Sequence, residues 1–355
     1  MGGHKKVLMF LQNGVGGAER MTVLIGKFLV EHGSEVRFYT IGDSGRNTPI
    51  SDFIPDDIFV ENIKYTSTIS LIKNIRTVVK KESPDVVFSS VLFISNKLLL
   101  LRPFFPKIKF IVRCENYFYT FNPRQQFLIK TLYPFADEII AQTKEMRDEL
   151  INEAHINADK VHTLENPIDK SYIDNKISLS SSPYDGCDTL RFVATGRFAY
   201  QKGFDLLVEA FNIVHQSVPD AELYIIGHKD GVCKSEYEKV EKIIQRYELE
   251  NYIHCVGFQT NPYSYIKYAD CFVLSSRWEG LPNVLIEALY LGTPAAAFAC
   301  IPIIERIVND GINGYVVKAE DVNGLASAML GAAKLGRVEF TYKGAGADDY
   351  VNLFQ

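Results

Sequence analysis

Continuous apolar runs alternate with amphipathic stretches along the chain, first over residues 5–164 and again over 190–317. Residues 5–12, 35–41, 85–90, 110–114, 138–142 and 161–164 are mostly apolar, the pattern of strands buried on both faces of a parallel sheet. Between the first two, Met21, Leu24, Ile25, Phe28 and Leu29 recur at helical spacing, and Gly33 supplies a stop. The second series predicts strands at 190–195, 222–226, 253–256, 271–274, 294–299 and 315–317, with helices between them. This alternation predicts an α/β chain of two doubly wound, Rossmann-like domains whose strand ends, and so ligand loops, face a central cleft. A length of 355 residues fits roughly two domains of about 150. The boundaries read as 1–170 for the first domain, 171–189 for a polar, Ser/Pro-rich linker and 190–335 for the second. The tail, 336–355, is glycine-broken and ends in Tyr350-Val-Asn-Leu-Phe354; it either docks back on the first domain or stays disordered.

Composition narrows this picture. With 47% hydrophobic and 23% charged residues the chain is an ordinary globular protein with a substantial core. The longest apolar stretch, 86–101, is interrupted by Asn96 and Lys97 and falls short of the roughly 18 apolar residues of a membrane span. The start, Met1-Gly-Gly-His-Lys-Lys6, runs straight into a strand, so no signal peptide is expected, and Lys6 stands where a myristoylation signal carries Ser or Thr. Six scattered cysteines form no C-x-x-C pair, which predicts a reduced, cytosolic protein without disulfides or zinc.

The net charge of −5 hides an asymmetry: residues 1–180 carry +2 and the remainder −7. Within the first half, residues 62–135 hold 12 basic and three acidic side chains. Such a region is either a solvated face or one attracted to an anionic membrane surface. No nucleic-acid-binding motif accompanies it, so nucleic acid is not expected.

The chemistry concentrates in three loops. Residues 271–294 read as a buried strand, a polar loop and a helix, with Pro282 at the first helical position. Leu281, Leu285, Ala288, Leu289 and Gly292 form its core-facing stripe; Asn283 and Glu287, four apart, share another face. Glu279 lies in the loop at the helix's positive end. Two carboxylates beside a helix N-terminus suit a ligand that presents an anion and hydroxyl groups. A second loop, Thr195-Gly196-Arg197 to Lys202-Gly203, converges an Arg, a Lys and a helix start, a set able to hold a diphosphate. The third, Asn13-Gly-Val-Gly-Gly-Ala18, follows the first strand. Its three glycines within four residues point to close approach of a ligand to the backbone. Glu19 occupies the position where a dinucleotide fingerprint starting at Gly14 needs glycine, which disfavours NAD.

Together these motifs resemble a retaining glycosyltransferase of family 4, bacterial surface-polysaccharide type, with the two-domain fold called GT-B. The resemblance rests on Gly14-Val-Gly-Gly-Ala-Glu-Arg20, Gly196-Arg197 with Lys202-Gly203, Ala269-Asp270-Cys-Phe-Val-Leu-Ser-Ser276 and Glu279-Gly-Leu-Pro-Asn-Val-Leu-Ile-Glu287. The last is an E-x7-E motif at the family spacing; Asn261-Pro262-Tyr263 and Asn313-Gly314 are also typical, and the likeness runs from about residue 5 to 330. It implies that Arg197 and Lys202 bind and stabilise the leaving pyrophosphate and that Glu279 positions the transferred sugar, the three catalytic candidates. Glu287 is implied to hold the ribose, with Gly16, Gly17, Gly280, Leu281 and Asn283 completing the donor-binding set. The implied donor is a nucleotide sugar, UDP preferred, and the implied acceptor a glycan or lipid-linked glycan at the cytoplasmic membrane face. Neither metal nor cofactor is expected.

Two departures stand out. Where many relatives place a sugar-contacting His, this chain has Arg113-Cys114-Glu115-Asn116, so either Glu115 or Asn116 takes that place or the role is missing. The segment before Glu305, Cys300-Ile-Pro-Ile-Ile, lacks the family's glycine. Competing readings are a nucleotide-sugar epimerase or phosphorylase on the same fold, and a sugar-nucleotide-binding protein with weak or no turnover.

Overall fold

The structure, a computed structural model, describes residues 4–14, 16–42, 50, 53–184 and 189–355. It divides into two compact units, Met1–Pro167 with Gly344–Gln355, and Ile168–Lys343.

Unit 1 begins with β1 (Lys6–Gln12), α1 (Gly17–Glu31), β2 (Glu35–Ile41) and β3 (Phe59–Ile63). It continues with α2 (Thr68–Glu82), β4 (Val86–Ser89), α3 (Leu92–Leu101), β5 (Lys109–Arg113) and α4 (Pro123–Leu132). It then adds β6 (Glu138–Ala141), α5 (Lys144–Asn152) and β7 (Val161–Thr163). The described strands form a seven-stranded parallel sheet in the order β3-β2-β1-β4-β5-β6-β7, with Val7 opposite Val36 on one side and Val86 on the other. Val7, Leu8, Met9, Phe10 and Leu11 are all fully buried, because helices cover both faces and leave no solvent side for polar residues.

Four elements of unit 1, β3, α3, α4 and α5, went unread in the sequence. Strand β3 lies at the sheet edge and alternates exposed with half-buried residues, so it lacks the apolar run that marks the inner strands. The apolar stretch 86–101, read as too short and too interrupted for a membrane span, contains β4 and the core helix α3, and no helix among the described residues is long and apolar enough to cross a membrane. The Lys97 ammonium lies 3.2 Å from the centre of the Phe93 ring, and burial pushes its pKa down to about 8.

Unit 2 starts earlier than the apolar pattern suggested. Helix α6 (Lys170–Ser178) occupies much of the stretch expected to be a 171–189 linker. The Asp169 carboxylate caps it by accepting from the Tyr172 N–H at 3.0 Å, Ile173 is buried, and the Tyr172 ring meets Tyr263 edge-on. The Ser-rich composition reflects its exposed side. Tyr184 is buried beside Tyr224 and Tyr265; residues 185–188, Cys187 among them, lie outside the described residues.

The rest of unit 2 comprises β8 (Arg191–Thr195), α7 (Phe204–Ser217), β9 (Glu222–Ile226), α8 (Lys234–Arg246), β10 (Ile253–Gly257) and α9 (Tyr263–Tyr268). These are followed by β11 (Cys271–Leu274), α10 (Asn283–Tyr290), β12 (Ala295–Phe298), α11 (Ile304–Ile307), β13 (Gly314–Val317) and α12 (Val322–Ala333). The sheet is parallel, in the order β10-β9-β8-β11-β12-β13. Its chain reverses direction across the sheet between β8 and β11, and loops leaving neighbouring strands at such a point diverge and leave room for a ligand.

Residues 336–343 belong to unit 2, so the expected 336–355 tail divides: only its end returns to unit 1 as α13 (Ala347–Phe354). Tyr350, Val351 and Phe354 of α13 join the unit 1 core, and the Tyr350 hydroxyl donates to the Leu164 or Glu165 carbonyl, 3.2 and 3.3 Å away.

Candidate active site

The carboxyl edge of the unit 2 sheet at its switch point carries the residues singled out in two of the three loops. After β8 the chain runs through Gly196 and Arg197 into a single turn, Tyr200–Lys202, and then Gly203, which caps α7 at φ +61°. A Cβ at Gly203 would lie 2.1 Å from the Ser275 carbonyl oxygen, so only glycine lets this loop pass the one leaving β11. At Gly227, after β9, a Cβ would fall 1.7 Å from the Gly196 carbonyl oxygen. The sites of two loops thus depend on glycines chosen for backbone contact rather than for flexibility.

Hydrogen bonds lock the β8 and β11 loops together. The Ser275 hydroxyl donates to the Lys202 carbonyl (2.9 Å), the Arg277 N–H to the Gln201 carbonyl (2.7 Å), and the Gln201 amide to the Trp278 carbonyl (3.0 Å). Arg277 grips Asp205 in the first turn of α7 with a two-pronged ion pair at 2.9 and 2.6 Å. Its guanidinium also lies 3.9 Å from the centre of the Tyr200 ring. Neither Arg277 nor Asp205 was singled out in the sequence.

Inside this frame, Lys202 Nζ donates to Glu279 Oε1 at 2.6 Å, and the Ser276 hydroxyl donates to the same oxygen at 2.6 Å. Glu279 is only 7% exposed, so the lysine compensates a carboxylate removed from water. Cys300 adjoins the pair: burial, and then the Glu279 charge, push its thiol up to about 12, which keeps it protonated. Arg197 is exposed and makes no hydrogen bond or ion pair among the described residues.

Helix α10 differs from its sequence reading at the start. Pro282 is the residue before the helix, with ψ at 88°, and Asn283 is the first helical residue. Glu287, expected on a face turned away from the core, is buried at 6% exposure, as are Gly280 and Leu281; Asn283 is half-buried. Glu305 is exposed in the single turn α11, which follows β12 at the same carboxyl edge.

A further feature escaped the sequence. The rings of His228 and Phe258, in the loops after β9 and β10, stack in parallel with centroids 4.3 Å apart. The His228 carbonyl accepts from the Phe198 N–H at 3.2 Å, which ties this exposed aromatic pair to the Arg197 loop. Phe258 remains 42% exposed, and a large aromatic left in a polar loop was the available signal.

In unit 1, Gly16 caps α1 and Gly17 opens it; both are exposed. A Cβ at Gly16 would sit 2.4 Å from Glu19 Oε2. The glycine therefore makes room for a buried carboxylate folded over the positive end of its own helix, a reason internal to the fold. Val15 lies outside the described residues. Glu115 and Asn116 follow β5 and are half-buried. Behind them runs a buried chain of donors: Arg113 to Asn166, Asn166 to the Gln142 side chain (3.1 Å), and Gln142 to the Cys114 carbonyl (2.9 Å). Arg113 is 2% exposed. This chain fixes the backbone entering the Glu115–Asn116 segment.

Comparison with known proteins follows the same division. A family model described as glycosyl transferases group 1 matches residues 188–337, and one described as glycosyltransferase family 4 matches residues 15–172. The chain is 37% identical over 177 residues to the uncharacterised glycosyltransferase MJ1059 of Methanocaldococcus jannaschii, across 48% of this chain and 42% of that one. It is 28% identical to the amylovoran biosynthesis glycosyltransferase AmsD of Erwinia amylovora, across 91% and 88%. Among solved structures, Anabaena HepE, determined in complex with UDP and glucose, superposes with a TM-score of 0.77 at 17% identity, across 99% and 95% of the two chains. That likeness shows the GT-B fold.

Proposed function

With the two family models spanning both of its units, this chain belongs to the family 4 glycosyltransferases, and from that premise we propose that it moves a hexose or N-acetylhexosamine from a UDP-sugar to a lipid-linked or surface-glycan acceptor. We place this activity in polysaccharide or lipopolysaccharide assembly, at the cytoplasmic face of the membrane. The observation that carries the chemistry is the Lys202–Glu279–Ser276 cluster, whose lysine lies on the same loop after β8 as Arg197.

The cluster leaves both partners with spare capacity. An ammonium has three N–H donors and Glu279 uses one, so two remain for phosphate oxygens. Both of the Glu279 contacts go to Oε1, leaving Oε2 to accept from a sugar hydroxyl. As the bond between the anomeric carbon and the phosphate oxygen breaks, charge collects on the leaving diphosphate, where Lys202 and Arg197 offset it; no step calls for a metal. The acceptor oxygen attacks from the face the leaving group vacates, giving retention, and the acceptor's proton passes to the departing phosphate. Glu115, Asn116 and Glu305 are assigned to the acceptor or the transferred sugar. UDP as the nucleotide is supported by the UDP held in HepE, and polysaccharide assembly by AmsD's role in amylovoran biosynthesis.

The purified protein should release UDP from at least one common UDP-sugar when a lipid-linked acceptor is supplied. No release across a full panel, together with no rise in melting temperature from any UDP-sugar, sinks the proposal. Donor consumption without acceptor would point to an epimerase instead.

Glu287 is assigned to the ribose hydroxyls. Glu287→Gln should weaken UDP binding roughly ten- to hundredfold, the worth of a hydrogen bond to a charged group, and change turnover at saturation little. Calorimetric titration with UDP separates the two effects, and an unchanged affinity removes Glu287 from the site. The Phe258–His228 pair is assigned to the nucleobase. Phe258→Ala should cost about ten- to hundredfold in UDP affinity, but leave weak pyrophosphate binding intact. Equal losses for both ligands would mean that the aromatic shapes the loop and does not touch the base.

A further inference from the structure

Helices α2, α3 and α4 form one layer on unit 1, since α3 packs against both of the others. The outer side of this layer is unusual in two respects. Ile69 (67% exposed), Phe104 (64%) and Phe127 (64%) project into solvent, joined by Leu100 and Phe135. Soluble proteins rarely cluster large apolar groups this way without a partner for them.

The same surface is uniformly basic. On α2, Ile69, Lys73, Arg76 and Lys80 fall at helical spacing and form a single outward stripe. On α4, Arg124, Phe127, Lys130 and Thr131 do likewise, and Lys107 follows the turn that bears Phe104. Segments 68–81, 92–104 and 123–135 contain no Asp or Glu. None of these six lysines and arginines forms an ion pair among the described residues. At the margin of the layer, by contrast, Arg102 pairs with Asp137 and Lys109 with Glu138. The Arg76 guanidinium lies 5.6 Å from the centre of the Phe104 ring, so charge and apolar bulk share one spot.

We propose that the outer side of the α2–α3–α4 layer docks on an anionic phospholipid bilayer. Phe104, Phe127 and Phe135 enter the headgroup boundary, where aromatic rings are stable, while the neighbouring lysines and arginines pair with lipid phosphates. Charge complementarity selects this occupant: the unpaired basic side chains require a negative partner, and the projecting phenylalanines require one with an apolar interior. A nucleic acid or acidic glycan satisfies only the first requirement. The inference deepens the membrane-face reading given above and rests on it for its biological sense, but its physical test needs neither donor nor acceptor.

The test is sedimentation of the full chain with vesicles of phosphatidylcholine alone or with 30% phosphatidylglycerol. Wild type should bind the anionic vesicles and not the neutral ones, with binding that weakens as salt rises. Arg76→Glu with Lys130→Glu should lower the partition coefficient at least about tenfold. Phe104→Ser with Phe127→Ser should lower it several-fold and make what remains more salt-sensitive. Lys234→Glu with Lys239→Glu on α8 changes net charge equally and should leave binding unchanged. Wild type that ignores phosphatidylglycerol overturns the inference, as does an equal loss in the α8 control. So does a phenylalanine pair that leaves vesicle binding intact while heparin retains the protein through the same charges, since that describes a polyanion site. A protein that docks on vesicles yet releases no UDP from any donor would defeat the transferase proposal and leave this one standing.

Discussion

Lys202→Ala should lower turnover with the UDP-sugar donor by two to three orders of magnitude. In the proposed reaction Lys202 faces the charge that develops on the leaving diphosphate, and removing one preorganised donor from such a position costs about that much. The structure adds a complication that a separate experiment can resolve. Lys202 also compensates Glu279, a buried carboxylate whose only other partner among the described residues is the Ser276 hydroxyl. The single variant therefore strands a buried charge, and we expect it to lose about 2–3 kcal/mol of stability as well. Lys202→Ala with Glu279→Ala removes both halves of the pair and should recover most of that stability. It should recover none of the activity, because Lys202 and Glu279 are both assigned to the reaction. Melting temperatures and initial rates of UDP release measured on wild type, both singles and the double complete the cycle. If turnover returned with stability, the pair would be a structural bridge and the chemistry would lie elsewhere. A single Lys202→Ala variant working within threefold of wild type would have the same meaning.

The ion pair at the centre of that experiment could not be read from the chain. Glu279 and Glu287 were visible because eight residues separate them within one loop and helix, where local geometry decides their relation. Lys202 and Glu279 lie 77 residues apart. They meet because β8 and β11 are sheet neighbours, a consequence of the strand order and not of any local pattern. The same holds for Asp205 with Arg277 and for Arg113 with Asn166, each of which joins residues that end or follow different strands. The inner strands were legible for the opposite reason: burial on both faces demands an apolar residue at nearly every position, which is conspicuous. Edge strand β3 escapes because solvent on one side relaxes that demand. Helix α6 escapes because a mostly exposed helix needs little more than one buried residue, here Ile173, and a capping Asp169. The reading of Pro282 erred by a single residue, and the cause is specific. Its fixed φ is compatible with either the first helical position or the residue before it, and only ψ, at 88° here, distinguishes them. Gly16 shows that a glycine in this loop also has a reason within the fold, since the Glu19 carboxylate approaches its backbone closely.

The largest effect expected from a residue with no chemical group is that of Gly203→Ala. Two separate costs apply there. At φ +61° an alanine loses about 1 kcal/mol relative to glycine. Its Cβ would also lie 2.1 Å from the Ser275 carbonyl oxygen, a backbone atom that cannot rotate away. The β8 and β11 loops must separate to admit it, and their separation strains the Ser275–Lys202 and Arg277–Gln201 hydrogen bonds. We expect a total cost of at least about 3 kcal/mol, since steric conflict with fixed backbone is among the few mechanisms that reach such values. Gly231→Ala supplies the internal control, because Gly231 has the same φ of +61° but nothing within 4 Å of the added Cβ. It should lose only the conformational part, about 1 kcal/mol. At roughly 2–4 °C per kcal/mol for a unit of this size, the two melting temperatures should differ by several degrees. Activity should separate them further. Displacing Lys202 by even about 1 Å should cost on the order of a hundredfold in turnover, whereas Gly231→Ala touches none of the residues assigned to the reaction. Equal melting temperatures and equal rates for the two variants would mean that the β8 and β11 loops yield readily, and that the placement of Lys202 against Glu279 owes little to the backbone contact at Gly203.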